Sequence, residues 1–105
     1  MDINENEIES RKKVGNLNGK PVVEIGLRGG LWLIFANVDG KFETVGAGPH
    51  RAVARHIAKK RTDNEITFTD LNKSDYVDPD HFSWCLPHYE AETDRIAAAF
   101  ALTQK

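Results

Sequence analysis

The chain has 105 residues, with 14 Lys or Arg, 16 Asp or Glu and a formal charge of −2. A chain of this length forms one domain with a small core. No apolar run approaches the roughly 18 residues that a membrane helix needs, and the opening residues lack the basic start and apolar core of a signal peptide. The single cysteine, Cys85, has no intramolecular disulfide partner, in agreement with a reducing compartment. We therefore expect a cytoplasmic protein without membrane contact.

The N-terminal segment, residues 1–18, is polar and contains only four aliphatic side chains. So few apolar residues provide little surface to bury, and such segments are usually poorly ordered. The sequence therefore predicts a flexible or weakly helical segment over 1–18, followed by a single folded domain over 19–105.

Three β-strands are predicted from position 21 onward. The stretches "PVVEIGLR" and "LWLIFANV" are rich in β-branched and aromatic residues, and Gly29-Gly30 marks a turn between them. Asp39-Gly40 is a strong hairpin signal, because both residues tolerate the positive φ of a type I′ turn. It leads into a third strand from Lys41 to about Val45. The second strand is apolar on both faces at one end, which is typical of a central strand.

A helix over 49–61 is expected next, because Pro49 suits a first helical position. At 100° per residue, Val53 and Ile57 point inward, and the arc predicted to face outward is basic. That outward arc consists of Arg51, Arg55 and Lys59.

The remainder of the chain adds one strand and one helix. The stretch "EITFTDL" predicts a fourth strand of period two, with a right-handed crossover if it lies parallel to the preceding strand. Residues 88–103 predict the second helix. The predicted fold is α+β, in the order β-β-β-α-β-α, with a mainly antiparallel sheet and two helices packed on it.

Positive charge is concentrated in the first predicted helix. Residues 49–61 contain five Arg or Lys and no acid, whereas 62–105 contain nine acids and three bases. Like charges at i, i+4 destabilise a helix, so a negative partner is expected. That partner is either the acidic C-terminal half of the same chain or an external anion.

An anion site is predicted where the basic helix begins. Glycines before a helix can direct backbone N–H groups at a phosphate, and basic side chains add donors. The candidate residues are Gly46, Gly48, His50, Arg51, Arg55, Lys59 and Lys60. The preferred function is therefore a non-catalytic binding module for nucleic acid or another polyanion.

Part of the chain resembles a known nucleic-acid-binding family. The run 21–60, three strands followed by G-x-G and a basic, alanine-bearing helix, resembles the central part of a double-stranded RNA-binding domain. The matching residues are Gly46, Gly48, Arg51, Ala54 and Ala58. The sequence departs from that family in having Pro49-His50-Arg51 where the family places its lysine pair. The resemblance implies a nucleic-acid partner.

An aromatic, acidic loop over 75–90 provides the alternative function. Aromatic side chains with polar tips favour protein interfaces, which makes this loop a candidate for binding another protein or a second copy of the chain. The candidate interface residues are Tyr76, His81, Trp84 and Tyr89.

The same loop contains residue types that bind metals or act as nucleophiles. They are Asp75, Asp78, Asp80, His81, Cys85 and His88. A structural zinc site needs four convergent ligands and a catalytic one three, and there is no second Cys or His pair here. Cys85 lies between Trp84 and Leu86, as an inert, half-buried thiol would. We assign no metal, cofactor or catalytic residue, and retain a metal-dependent or Cys/His enzyme as the remote alternative.

Overall fold

The computed structural model describes residues 7–69 and 83–103, with side chains described as far as Ala99. They form five strands and two helices, in the order β-β-β-β-α-β-α. The elements are β1 (Ile8–Leu17), β2 (Lys20–Leu27), β3 (Trp32–Val38), β4 (Lys41–Gly48), α1 (Arg51–Arg61), β5 (Thr67–Phe68) and α2 (Leu86–Thr103). The α+β class predicted from the sequence fits this architecture.

The five strands form one antiparallel sheet in the order β4-β3-β2-β1-β5. Tight hairpins connect the first four strands where local sequence permits positive φ. Asp39 and Gly40 have φ of 51° and 87°, and Asn18 and Gly19 have φ of 50° and 79°. Positive φ at both central residues is what a type I′ turn requires. The predicted Asp39-Gly40 hairpin is confirmed.

Helices α1 and α2 pack against opposite faces of the sheet. Alternation along β3 places Ile34 and Ala36 in the cluster that α1 covers, and Leu33 and Phe35 in the cluster that includes Ile96 of α2. Both faces of β3 are therefore buried, which confirms the prediction of a central strand. No helix among the described residues is long and apolar enough to cross a membrane.

One prediction about the strands was wrong. Residues 8–17 form β1, where the sequence predicted a flexible or weakly helical segment. The reason is tertiary: β1 pairs with β2 and buries Val14 and Leu17 under α1. The condition given for a right-handed crossover, a parallel strand after α1, is not met, because β5 pairs antiparallel with β1 at the far edge of the sheet.

Candidate functional site

Helix α1 lies close to β4 because the strand has glycines beneath it. A Cβ atom at Gly46 would lie 2.1 Å from the carbonyl oxygen of Ala54, and one at Gly48 would lie 2.7 Å from the Val53 side chain. Both glycines are buried and pair with β3 in the sheet. The predicted phosphate-binding glycines thus lie within a strand, where they allow the helix to approach.

A buried carboxylate lies between this helix and the sheet. Glu24 of β2 is only 1% exposed. Arg55 donates a hydrogen bond from Nε to Glu24 Oε2 at 2.8 Å, and Arg51 Nε lies 3.2 Å from Glu24 Oε1. Because the two arginines are four residues apart on one helix, both reach the same carboxylate.

Aromatic rings contact the two guanidinium groups. The Arg51 guanidinium carbon lies 4.5 Å from the centroid of the Trp32 ring, and that of Arg55 lies 5.0 Å from the Phe68 centroid. A cation over an aromatic face within about 6 Å is attracted to the ring. Arg51 is therefore oriented by both Glu24 and Trp32. We call Glu24, Arg51, Arg55 and Trp32 the arginine cluster.

The prediction that Arg55 points outward was wrong, since the residue is only 3% exposed. The predicted repulsion along the helix is relieved by Glu24, an acid in the N-terminal half. Arg51 is partly exposed, with 31% of its side chain accessible. Lys59, the third residue of the predicted basic arc, is half-buried.

The C-terminal end of α1 is neutralised by α2. Lys60 Nζ lies 2.9 Å from Glu90 Oε1, and Arg61 Nη1 donates to Asp94 Oδ1 at 2.6 Å. Arg61 also donates from Nη2 to the Glu90 backbone carbonyl at 2.9 Å. Within the described residues, four of the five basic side chains of 49–61 therefore contact a carboxylate of this chain. Acids of the same chain therefore neutralise most of the positive charge clustered in 49–61.

The contact between Arg61 and Asp94 should affect the pKa of the Asp94 carboxyl, and this effect can be tested. The hydrogen bond from Arg61 holds the pKa of the Asp94 carboxyl below its ordinary value. Arg61→Gln should therefore raise the Asp94 pKa, as measured by a carboxyl-carbon NMR titration. A depressed pKa contributes stability above the unfolded-state pKa and loses it as the pH falls through the folded-state pKa. The variant should thus show a smaller loss of stability below pH 4. An unchanged Asp94 titration would contradict the contact.

The N-terminal end of α1 has a different electrostatic character. His50 is the N-cap residue, and its side chain makes no capping hydrogen bond. The first turn contains no acid, so no carboxylate there offsets the positive end of the helix dipole. Arg51, the first helical residue, brings a partly exposed guanidinium to the same end.

The structure describes only some of the candidate residues of the aromatic, acidic loop. Tyr76 and His81 lie outside the described ranges, as do Asp75, Asp78 and Asp80. Trp84 is 80% exposed, whereas Cys85 is buried. Tyr89 is half-buried and contacts His88 edge-to-face at 4.9 Å between ring centroids. In the part of the chain that the structure describes, no three His, Cys, Asp or Glu gather as metal ligands would.

Sequence reasoning missed the residue that organises the cluster. Glu24 is the one charged side chain in the apolar stretch "PVVEIGL", and a buried acid requires a cationic partner. That signal could have indicated that the i, i+4 arginines point inward.

Comparison of the chain with protein-family models, curated proteins and solved structures finds no match. The resemblance to a double-stranded RNA-binding domain therefore rests on the residues of 21–60 alone.

Proposed function

We propose that the domain is a non-catalytic binding module that holds a phosphate group at the N-terminal end of α1. The proposal rests on the orientation and the exposure of the Arg51 side chain. Its guanidinium is oriented by Glu24 and Trp32, yet its side chain remains 31% exposed. An arginine held in this way has lost part of its conformational freedom before a ligand arrives, which reduces the cost of binding.

The local charge supports an anionic ligand. One carboxylate, Glu24, faces two guanidinium groups, so these three side chains together have one formal positive charge. The positive end of the α1 dipole and the His50 imidazole lie at the same place. A planar guanidinium binds phosphate oxygens in a bidentate manner that lysine does not reproduce. The proposed site therefore consists of Arg51, His50 and the first backbone N–H groups of α1.

This site is smaller than the basic face predicted from the sequence. Lys60 is bound to Glu90, Arg55 is buried, and Gly46 and Gly48 lie within β4. One phosphate, rather than a long polyanion, is the unit that the exposed groups fit. The ligand class is a phosphate-bearing molecule, either a nucleotide or a nucleic-acid strand contacted at one phosphate.

The experiment uses Trp32 as a reporter of the site. The chain has two tryptophans, so Trp84→Phe leaves Trp32 as the only one. Emission of this variant is measured during titration with inorganic phosphate, a nucleoside monophosphate and a short single-stranded oligonucleotide. We expect a saturable change, and Arg51→Gln should weaken affinity about tenfold or more because charge-assisted hydrogen bonds are lost. The relative affinities of the three ligands identify the natural source of the phosphate.

Two further variants test whether affinity depends on the guanidinium of Arg51 itself, rather than on positive charge in general. Arg51→Lys retains the positive charge beside Glu24 but lacks the bidentate fork, so its affinity should fall between those of the native chain and Arg51→Gln. Lys60→Gln removes a cation at the opposite end of the helix and should leave affinity unchanged. With an oligonucleotide, Arg51→Gln should lower the salt slope by about one phosphate contact. Equal weakening by Lys60→Gln, or no saturable change with any ligand, would refute the proposed site.

The second candidate function, protein binding, is favoured by Trp84. At 80% exposure it is the most exposed large apolar side chain among the described residues. Tryptophan is enriched among the residues that dominate binding energy at protein interfaces. If Trp84 lies in such an interface, Trp84→Ala should lower association without destabilising the fold.

A further inference from the structure

Strand β1 places an exposed lysine beside the arginine cluster. Lys12 pairs with Glu24 across the ladder between β1 and β2. Directly paired residues of an antiparallel ladder project from the same face of the sheet, with Cβ atoms about 4.5 to 5.5 Å apart. Glu24 projects toward α1, since it contacts Arg51 and Arg55. Lys12 therefore also projects from the α1 face, next to the carboxylate that holds both arginines, and it is exposed.

A second row of paired residues also brings β1 to the arginine cluster. Ser10 pairs with Gly26, and Gly26 pairs with Trp32. A Cβ atom at Gly26 would lie 2.7 Å from Ser10 Oγ and 2.7 Å from Cζ3 of Trp32, so the two side chains lie side by side over this glycine. The guanidinium of Arg51 lies over the same tryptophan ring. Strand β1 thus borders the cluster along residues 10–12.

We infer that Lys12 is a further ligand-binding residue and that the site prefers a terminal phosphate monoester to a phosphodiester. This inference rests on the phosphate site proposed above. Arg51, Arg55 and Lys12 are three cations around one carboxylate, Glu24, so the four side chains together have two formal positive charges. A phosphate monoester has a charge of about −1.5 to −2 at pH 7, whereas a diester has a single negative charge. The monoester is therefore the better match.

The chemistry of the two exposed cations supports the same preference. Arg51 is oriented by Glu24 and Trp32, and its planar fork donates to two phosphate oxygens at once. Lys12 has a compact charge on a flexible four-carbon stem, which allows the ammonium to bind the third oxygen. In a diester that third oxygen is esterified and has lost its charge. A free nucleotide and the phosphorylated end of a strand both provide a terminal phosphate, and the interior phosphates of a nucleic acid do not.

The test compares a nucleoside monophosphate with its methyl ester, which differ by one methyl group and one negative charge. Binding is followed by the emission of Trp32 in the full chain carrying Trp84→Phe, at a pH of about 8, where the monoester is almost fully dianionic. We expect the monophosphate to bind at least about fivefold more tightly than the ester. Lys12→Gln should weaken the monophosphate about tenfold and the ester only about twofold, because a charge-assisted hydrogen bond is lost. Lys12→Arg retains the charge and should retain the preference.

Lys13→Gln is the matched control. Lys13 is exposed and adjacent in sequence, but it pairs with Val23, which packs against the cluster on the α2 face. Its side chain therefore projects from the opposite face of the sheet, and its replacement should leave both affinities unchanged. Because both lysines are exposed, the two Gln variants should retain the native circular dichroism spectrum.

Oligonucleotides with and without a terminal phosphate identify the source of the monoester. Tighter binding of the phosphorylated strand than of the nucleotide would assign the site to strand ends, and the reverse would assign it to free nucleotides. Either result supports the inference. An unchanged preference in Lys12→Gln, equal weakening by Lys13→Gln or equal binding of the two oligonucleotides would overturn it. The phosphate site itself would still stand if Arg51→Gln weakened saturable binding, whereas no saturable change with any ligand would refute both.

Discussion

Replacing Glu24 by Gln is expected to lower the free energy of unfolding by about 3 to 5 kcal/mol. The substitution preserves the shape of the side chain and removes its negative charge. Arg55, at 3% exposure, would then be a buried cation that has lost its carboxylate. Breaking a buried pair on one side is costly, because the remaining charge has been taken out of water without compensation. Urea denaturation monitored by circular dichroism measures the change.

Two control variants separate this effect from a general effect of charge. Asp94→Asn also removes a carboxylate that binds an arginine, but Asp94 is 69% exposed, so the loss should be below about 1 kcal/mol. Glu24→Met combined with Arg55→Met replaces the buried pair with apolar side chains and should recover most of the stability, as often happens when both partners are removed. A loss below about 1 kcal/mol for Glu24→Gln would show that the buried pair contributes little to holding α1 on the sheet.

Replacing Gly46 by Ala should be the second most destabilising change, at about 3 kcal/mol, the upper end of what overpacking usually costs. The added Cβ would lie 2.1 Å from the carbonyl oxygen of Ala54. Because the obstacle is backbone, no side-chain rotation relieves it, and α1 must move away from β4. Its amide hydrogens should consequently exchange faster than in the native chain.

Gly29→Ala is the matched control for this prediction. Gly29 has φ of 95°, and a Cβ added there would have no heavy atom within 4 Å, so only backbone strain of about 1 to 2 kcal/mol is expected. Amide exchange in α1 should remain native in this control. If the two alanine variants lost the same stability, the close approach of α1 to β4 would not be the reason for glycine at position 46.

Local patterns predicted the parts of the fold that depend on neighbouring residues. The Asp39-Gly40 hairpin, the buried strand around Ile34 and the two helices were all indicated by turn residues and periodicity. Strand β1 was missed, although Asn18-Gly19 at its end is a strong hairpin signal. The polar composition of 1–18 predicted a poorly ordered segment in spite of that signal. Val14 and Leu17 become buried only when β2 and α1 pack beside them, and the local sequence does not indicate this packing.

The sequence by itself determined the α+β class, the hairpin after β3 and the accumulation of positive charge in 49–61, because each depends on residues only a few positions apart. The tertiary structure decided which of those charges are buried and which acids neutralise them. Glu24 and Arg55 are 31 residues apart in the chain, and Arg61 and Asp94 are 33 apart. Such contacts form when strand pairing and helix packing bring distant segments together. A charge pattern read along the chain predicts that a partner is needed, and the packing of α1 against β2 and α2 selects that partner.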